Sequence, residues 1–328
     1  MKKAMTRKEF VRLSAAAALS LPVAGLYSCT PKKKEEDEAE EKGETEKVTG
    51  TTSSPPFASH PGLQLYTVRE KFEKDPAGTL QKIAAIGYKE LELYNPAALS
   101  HVKEIKDLGM NVISTHFLSG YISGKWDSLK KFGAPQPTDN IDHIIDTCAK
   151  NEVHFMGISI LFPEERQTLD DYKRFAEKAN AVAAKSKTAG VQMYYHNHSF
   201  EFEPSGNTTP MEELVKAFDK DLMKMELDLF WTTISGNDPA EWIDKLGDRI
   251  KMLHLKDLKA GTPKDYTTFQ VPKEDFLAVG DGVVDFEKAL KAAHKTGVPY
   301  AFVEQDYSAI DPFESITRSY KYLQGMEL

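Results

Sequence analysis

Residues 61–325 of the 328-residue chain predict a (β/α)8 barrel, or TIM barrel, because eight short apolar segments alternate with eight amphipathic ones. Barrels of this class take about 250 residues, which this stretch supplies. The alternative is an open, doubly wound parallel sheet. It is less favoured because the first strand lacks the glycine-rich phosphate loop expected of many such sheets. We expect a single α/β domain of the barrel fold over residues 57–328.

The strand-like segments are short apolar runs that end in polar residues, glycine or proline. Strands are predicted at 62–68, 88–94, 111–116, 153–162, 223–230, 250–255 and 300–303. A further strand, the fifth in the chain, runs from Val191 into Tyr195-His196-Asn197-His198. Since alternate residues of a strand share a face, His196 and His198 are expected to project together from its carboxyl end.

The intervening segments repeat apolar residues at helical spacing. Helices are predicted at 77–86, 96–109, 141–149, 169–188, 210–219, from 238 onward, 286–295 and 312–323. Gly87 and Gly109 end the first two, and Asp238-Pro239 starts the sixth, since proline is favoured in the first turn of a helix. A long loop with Gly280-Asp281-Gly282 follows the seventh strand.

The N-terminus has the composition of a lipoprotein signal peptide. Residues 1–29 combine a basic start with an apolar run from Leu13 to Leu26, which is too short to span a bilayer. The run ends in Leu26-Tyr27-Ser28-Cys29, which resembles a bacterial lipobox and implies lipidation of Cys29. Thr6-Arg7-Lys8-Glu9-Phe10-Val11 resembles a twin-arginine export motif, with lysine in place of the second arginine.

Residues 30–56 contain lysines, an acidic run at 35–41 and then threonine, serine, glycine and proline, without apolar periodicity. This composition predicts a disordered, charged tether. We therefore expect an exported domain that is anchored to the cell envelope by lipid and faces the periplasm or the cell surface. The net charge of −8 argues against nucleic acid as a partner.

Ligand-type side chains cluster at the carboxyl ends of the predicted strands. They are Glu92, His116, His196, His198, Asp228, His254, Lys256, Asp257, Glu304 and Asp306. In a parallel barrel these strand ends meet at one mouth, where barrels of this class keep their chemistry. Imidazole and carboxylate donors without a thiolate suit Mn, Zn, Co or Fe(II). We expect one divalent metal ion there, with Mn favoured.

The same stretches resemble the xylose isomerase-like barrels known as sugar phosphate isomerases/epimerases, over nearly all of residues 61–325. The resemblance rests on Gly62-Leu63-Gln64-Leu65-Tyr66-Thr67-Val68-Arg69, Tyr195-His196-Asn197-His198 with Glu201-Phe202, Asp228 before Trp231, His254-Leu255-Lys256-Asp257, Gly280-Asp281-Gly282 and Val303-Glu304-Gln305-Asp306. In that family, residues from the fifth to the eighth strand hold one divalent metal. The resemblance implies the ligands His196, Asp228, His254 and Glu304, with His198 as the alternative to His196.

The chain departs from the ketose epimerases of that family at the fifth strand. Those enzymes have a glutamate where this chain has His196, and that glutamate pairs with the eighth-strand glutamate as two opposed acid–base groups. A metal-bound imidazole is a poor proton carrier. The pattern is therefore closer to inosose dehydratase-like or 3-keto-sugar lyase and epimerase relatives, whose shared chemistry is proton abstraction beside a ketone.

Three residues are candidates for moving that proton: Glu304, Lys256 and His116. Lys256 lies on the same face as His254 and is also placed to stabilise an enolate oxygen.

Candidates for contact with the substrate are Glu92, His198, Trp231 and Asp257. Trp231 is the best candidate for a ring that stacks on a sugar, because it follows the sixth-strand ligand by three residues. The alternative for Trp231 is packing in the core, which is the ordinary role of such a ring. The alternative for Glu92 is an ion pair with Arg69 or a lysine.

The sequence thus predicts a metal-dependent sugar isomerase or epimerase that abstracts a proton next to the carbonyl of a sugar or keto-sugar. One alternative is a 3-keto-glycoside lyase or an inosose dehydratase-like enzyme. Another, from a different class, is a sugar-binding lipoprotein without turnover. An abasic-site endonuclease of the same fold is less favoured, because its trinuclear zinc cluster needs more ligands and because the chain is acidic.

Overall fold

Parallel strands close into a barrel of eight in the described part of this computed structural model, which comprises residues 60–131, 133, 137 and 139–327. The strands are β1 (Gly62–Gln64), β2 (Glu90–Leu93), β3 (Asn111–Phe117), β4 (Phe155–Ile158), β5 (Gln192–His196), β6 (Met223–Asp228), β7 (Ile250–Leu255), β8 (Asp257–Leu258), β9 (Phe276–Leu277) and β10 (Tyr300–Val303). Around the barrel the order is β1-β10-β7-β6-β5-β4-β3-β2, and β8 pairs with β9 as a separate antiparallel ribbon. The predicted (β/α)8 fold is confirmed.

The helices connect the strands, as parallel pairing requires. They are α1 (Arg69–Lys74), α2 (Pro76–Ile86), α3 (Val102–Asp107), α4 (Gly120–Ser123), α5 (Trp126–Lys130), α6 (Ile141–Lys150), α7 (Leu169–Thr188), α8 (Pro210–Ala217), α9 (Leu229–Ile234), α10 (Pro239–Leu246), α11 (Phe286–Thr296) and α12 (Pro312–Gln324). Side-chain oxygens cap several of them by accepting a backbone N–H of the first turn. These caps are Asp75, Asn140, Thr168, Thr209, Asp238, Asp285 and Asp311.

The predicted signal peptide at 1–29, its lipidation site Cys29 and the predicted tether at 30–56 lie outside the described residues. Within the described residues, no helix combines the length and the apolar character that crossing a bilayer requires.

Several barrel strands, β1, β2, β4 and β6, are shorter than the sequence predicts. In β1 and β6 the chain turns as soon as it reaches the mouth. β1 ends at Gln64, whose side chain accepts the backbone N–H of Tyr66 and starts a 3-10 helix over Leu65–Val68. β6 ends at Asp228, which caps α9 by accepting the backbone N–H of Trp231 at 2.9 Å. Polar strand-end residues thus serve as caps, which ends the extended backbone early.

The barrel interior is filled in layers, with apolar side chains at the amino-terminal end and polar side chains above them. One apolar layer contains the mutually packed and fully buried Tyr194, Met252 and Phe302. Two residues further along their strands come His196, His254 and Glu304, because alternate residues of a strand point inward. The apolar layer therefore supports the polar mouth directly.

Gly157 on β4 makes room for the ring of Tyr194 on the neighbouring strand. A Cβ atom at position 157 would overlap the phenol ring of Tyr194, which has no free space because it is fully buried. We expect Gly157→Ala to lower the free energy of unfolding by roughly 1–3 kcal/mol through overpacking. Urea unfolding followed by circular dichroism measures this change.

The matched control is Gly325→Ala, since a Cβ at position 325 meets only backbone oxygens at 3.5 and 3.6 Å. We expect this variant to stay within about 0.5 kcal/mol of the wild type. Equal stability of the two variants would contradict the close packing of Gly157 against Tyr194.

Candidate metal centre and active site

Four ligand-type side chains from four adjacent barrel strands converge at the carboxyl-terminal mouth. They are His196 at the end of β5, Asp228 at the end of β6, His254 on β7 and Glu304 directly after β10. One donor atom from each lies within 4.8 Å of the other three. All four side chains are buried, and the most exposed of them, Glu304, has a relative exposure of 6%. The structure thus brings together the four residues that the sequence predicted as ligands.

The donor atoms that face the centre of this quartet make ionic contacts, but no hydrogen bonds of regular geometry, within the described part of the chain. They are Nε2 of His196, Oδ2 of Asp228 and Nδ1 of His254. The two nitrogens lie 3.5 and 3.7 Å from Oδ2 of Asp228, and Nδ1 of His254 makes ionic contact at 2.9 Å with Glu304. Donor atoms around one tetrahedral ion, bound at about 2.1 Å, are about 3.4 Å apart. The quartet therefore fits a divalent metal ion in both chemistry and spacing.

His196, and not His198, belongs to the quartet. Nδ1 of His196 lies 3.1 Å from the backbone oxygen of Ser159, and a proton donated there leaves Nε2 as the ligand atom. His198 packs between aromatic rings, 5.6 Å from Phe200 and 5.2 Å from Trp231. Burial and the neighbouring His196 hold the pKa of His198 well below its usual range, so this imidazole is neutral.

The Lys256 ammonium lies beside the quartet among three carboxylates. Its Nζ is 3.1 Å from Oδ2 of Asp228, 2.7 Å from Oε2 of Glu304 and 2.6 Å from Oδ2 of Asp306. Burial alone would lower the pKa of Lys256, but the three negative charges raise it well above its usual range. Lys256 is therefore positively charged, which suits it to stabilise a developing negative charge and not to remove a proton.

The same contacts keep Asp228 and Glu304 ionised. Burial opposes ionisation, but Lys256 and the adjacent imidazoles hold the pKa of Asp228 below its usual range. Burial also opposes the ionisation of Glu304, but Lys256 and His254 hold the pKa of Glu304 well below its usual range. Both groups are therefore carboxylates at neutral pH, the form that ligates a metal or accepts a proton.

Trp231 forms part of the wall behind the mouth. The residue is fully buried, and its ring packs against His198 and Phe276. The Lys256 ammonium lies 5.2 Å from the ring centroid. This arrangement differs from the expected sugar-stacking platform, because capping by Asp228 places Trp231 in the first turn of a buried helix.

Asp257 anchors a loop, whereas the sequence analysis expected it to contact the substrate. Its Oδ2 accepts the backbone N–H groups of Gly280 and Gly282, and its Oδ1 accepts those of Leu258 and Val284. Both carboxylate oxygens are thus occupied by the chain itself. A Cβ at position 282 would overlap this carboxylate, which explains the second glycine of Gly280-Asp281-Gly282.

Glu92, the other acidic candidate for substrate contact, lies deeper in the barrel and is fully buried. Donor atoms of Glu92, His116, Glu226 and His254 form a second group within 4.8 Å of one another. Nε2 of His254 lies 2.7 Å from Oε1 of Glu92, and Nε2 of His116 lies 2.9 Å from Oε2 of Glu226. The carboxylate of Glu92 therefore faces imidazoles.

His116, a candidate for proton transfer, belongs to this deeper group. Burial would lower the pKa of His116, but the charges of Glu92 and Glu226 outweigh it and raise the pKa. Glu226, which completes the group, is not among the residues predicted from the sequence. The signal was present, since Glu226 precedes Asp228 by two residues and must share its face of β6.

Among curated proteins, the chain is similar to the inosose dehydratase of Lacticaseibacillus casei, with 27% identity over 167 residues. The match covers 48% of this chain and 55% of that protein, so the chain spans about half the length of the curated relatives it matches.

Solved structures with the same fold include a sugar phosphate isomerase/epimerase from Parabacteroides distasonis. It is 24% identical, has a TM-score of 0.65, and the match covers 85% of this chain and 99% of that one. The structure of the IolI protein, which contains a bound zinc atom, is 13% identical with a TM-score of 0.60. That match covers 81% of this chain and 98% of the other. At these identities the likeness establishes the fold.

A family model described as xylose isomerase-like TIM barrel matches residues 80–324, which include all four residues of the quartet. The match takes in most of the chain and agrees with the closed parallel barrel. The chain is therefore a member of the xylose isomerase-like TIM barrel family.

Proposed function

We propose that this chain is a metal-dependent isomerase, epimerase or lyase that abstracts the proton next to the carbonyl of a sugar or keto-sugar. The observation that carries the proposal is the convergence of His196, Asp228, His254 and Glu304 beside the Lys256 ammonium. A divalent ion held by these four residues would act as a Lewis acid on a substrate carbonyl. Mn is the favoured ion.

Glu304 is the residue that we assign to proton transfer. It lies at the mouth as an ionised carboxylate, and its Oε2 is 2.7 Å from Nζ of Lys256. Removal of the proton α to a carbonyl leaves negative charge on the carbonyl oxygen. The Lys256 ammonium supplies a fixed positive charge for that oxygen, which is the kind of stabilisation that contributes most to such steps.

His196, at the end of β5, favours a reaction that uses a single catalytic base. Nδ1 of His196 donates to a backbone carbonyl and its Nε2 faces the quartet, so neither nitrogen carries a proton to the substrate. A single carboxylate supports a 1,2-isomerisation. It also supports a β-elimination, in which Glu304 takes the α-proton and then gives that proton to the oxygen that leaves the β-carbon as water or an alcohol.

Elimination is the second candidate reaction, and the relative named inosose dehydratase supports it. For such a lyase the substrate is a keto-sugar or keto-cyclitol with a hydroxyl or glycosidic oxygen on the β-carbon. A screen of ketoses, inososes and 3-keto-glycosides, with products identified by mass spectrometry, separates isomerisation at unchanged mass from loss of water or of an alcohol.

Removal of the metal is expected to abolish turnover. Chelation should reduce the activity found in the screen to background, and added Mn should restore it. In Asp228→Ala, both the affinity for Mn and the rate of turnover should fall at least about 100-fold. The rate falls because several kcal/mol of transition-state stabilisation depend on the ion. Metal content by mass spectrometry and initial rates measure both effects.

The control for that experiment is Asp142→Ala, since Asp142 is an exposed residue of α6 that pairs with Lys185. It should keep its metal and its rate. Turnover that survives both chelation and Asp228→Ala would rule out the proposal. Sugar binding without turnover, unchanged in His254→Ala and Glu304→Ala, would instead indicate a sugar-binding protein.

Lys256→Met is expected to lower kcat by about 10²–10³-fold, the usual loss when one charge-stabilising donor is removed. KM should change much less, because the interaction strengthens as the enolate forms. Lys256→Arg should recover part of kcat through its retained charge. Steady-state kinetics test this, and an equal rise in KM without loss of kcat would contradict an electrostatic role in the reaction.

We also propose that Cys29 carries the lipid anchor of an exported protein, on the basis of Leu26-Tyr27-Ser28-Cys29. Cys29→Ser should abolish incorporation of labelled palmitate and move the protein from the membrane fraction to the soluble fraction. Cys148→Ser, which changes the other cysteine of the chain, should leave both unchanged. Membrane retention and labelling of Cys29→Ser would refute the anchor.

A further inference from the structure

We infer that Glu92 and Glu226 are positioning residues that hold the His254 ring with its Nε2 proton turned into the barrel, so that Nδ1 is the atom presented to the metal. The inference rests on the proposed single-metal site and concerns how the barrel interior sets the affinity of that site.

The two nitrogens of His254 have different surroundings. On the inner side, Nε2 lies 2.7 Å from Oε1 of Glu92 and 3.2 Å from Oε1 of Glu226. On the outer side, Nδ1 lies 2.9 Å from Glu304 and 3.7 Å from Asp228. An imidazole that donates one N–H to a carboxylate offers the lone pair of the other nitrogen to a metal. The ring is fully buried, so its orientation is set by these contacts.

Glu92 is a hydrogen-bond acceptor in this arrangement and has no capacity left for a metal. Its Oε1 accepts hydrogen bonds from Nε2 of Gln64, at 2.6 Å, and from Nε2 of His254. Its Oε2 accepts hydrogen bonds from the hydroxyls of Tyr194, at 2.6 Å, and of Ser114. A carboxylate offers about four lone-pair positions, and all are occupied here. The deeper group of Glu92, His116, Glu226 and His254 is therefore a hydrogen-bonded network and not a second metal site.

Glu226 contacts the same nitrogen of the His254 ring. Its Oε2 accepts from Nε2 of His116, whereas its Oε1 is buried without a hydrogen-bond partner in the described residues and faces Nε2 of His254. A flip of the His254 ring would turn the Nε2–H away from both buried carboxylates and leave them without this donor, which costs free energy. Glu92 and Glu226 together thus favour one ring orientation.

The direct test is ¹⁵N NMR of the wild-type protein, labelled at histidine and loaded with Zn, which is diamagnetic. The structure predicts opposite patterns for the two histidine ligands. His196 should be metallated at Nε2 and protonated at Nδ1, whereas His254 should be metallated at Nδ1 and protonated at Nε2. His254→Gln assigns the signals. Metallation of His254 at Nε2 would overturn the inference.

Metal affinity supplies a second, independent readout. Glu92→Ala and Glu226→Ala should each weaken Zn and Mn binding by about 10–100-fold, the usual effect of removing the partner of a ligand imidazole. Glu92→Gln and Glu226→Gln, which keep an acceptor oxygen, should recover part of that loss. Chelator competition measures the affinities. Affinities within twofold of the wild type in both alanine variants would refute the inference.

The matched control is Glu165→Ala, because Glu165 is also buried and accepts hydrogen bonds from Ser119 and from the backbone of Phe162, away from the quartet. It should lower stability without changing metal affinity. The wild-type protein should bind one ion per chain. If it binds a second ion that Glu92→Ala loses, then the deeper group is a metal site and not a hydrogen-bonded network. All these measurements concern metal binding, so they stand whether or not the proposed turnover is found.

Discussion

Buried carboxylates need buried positive charge, and this requirement governs the whole mouth of the barrel. Asp228, Glu304 and Asp306 surround a single ammonium, that of Lys256, in the described part of the chain. An ion taken out of water without compensation costs several kcal/mol, even after the protein relaxes. These three carboxylates share one ammonium beside the donor atoms of the quartet. A divalent cation bound at the quartet would add positive charge there, which would make metal binding and folding of the mouth parts of one electrostatic arrangement.

The apolar interior and the proposed metal site are mechanically connected. Gly157 leaves space for the ring of Tyr194, and the hydroxyl of Tyr194 donates to Glu92 at 2.6 Å. Glu92 in turn accepts from His254. Since side chains in a packed interior move little, the aromatic layer below the mouth helps to set the direction of a ligand imidazole above it. A packing change two layers down therefore acts on the metal site through a short series of hydrogen bonds.

The fold and the strand-end candidates could be predicted because their signals are local in the sequence, and the family resemblance then implied which four of them form the quartet. Inward-facing residues recur every second position, so His196, Asp228, His254 and Glu304 are recognisable at the ends of their own strands. The role of Asp257 was not recognisable, because three of its four backbone partners lie 23 or more residues away in a loop of irregular backbone. Glu226 shares the local signal, yet its partners His116 and His254 lie on other strands, 110 and 28 residues away in the sequence.

The hydrogen bonds that orient the imidazoles also limit the proposed reaction. Nδ1 of His196 is bound to a backbone carbonyl, and Nε2 of His116 is bound to Glu226 inside the barrel. An imidazole fixed in this way serves as a ligand or as a structural donor, whereas a proton carrier needs a nitrogen that reaches the substrate. Glu304, next to Lys256, combines the ionised form with a position at the mouth. With His196 at the fifth-strand position, the proposed site has one base, Glu304, which is why the proposal favours isomerisation or elimination over two-base epimerisation.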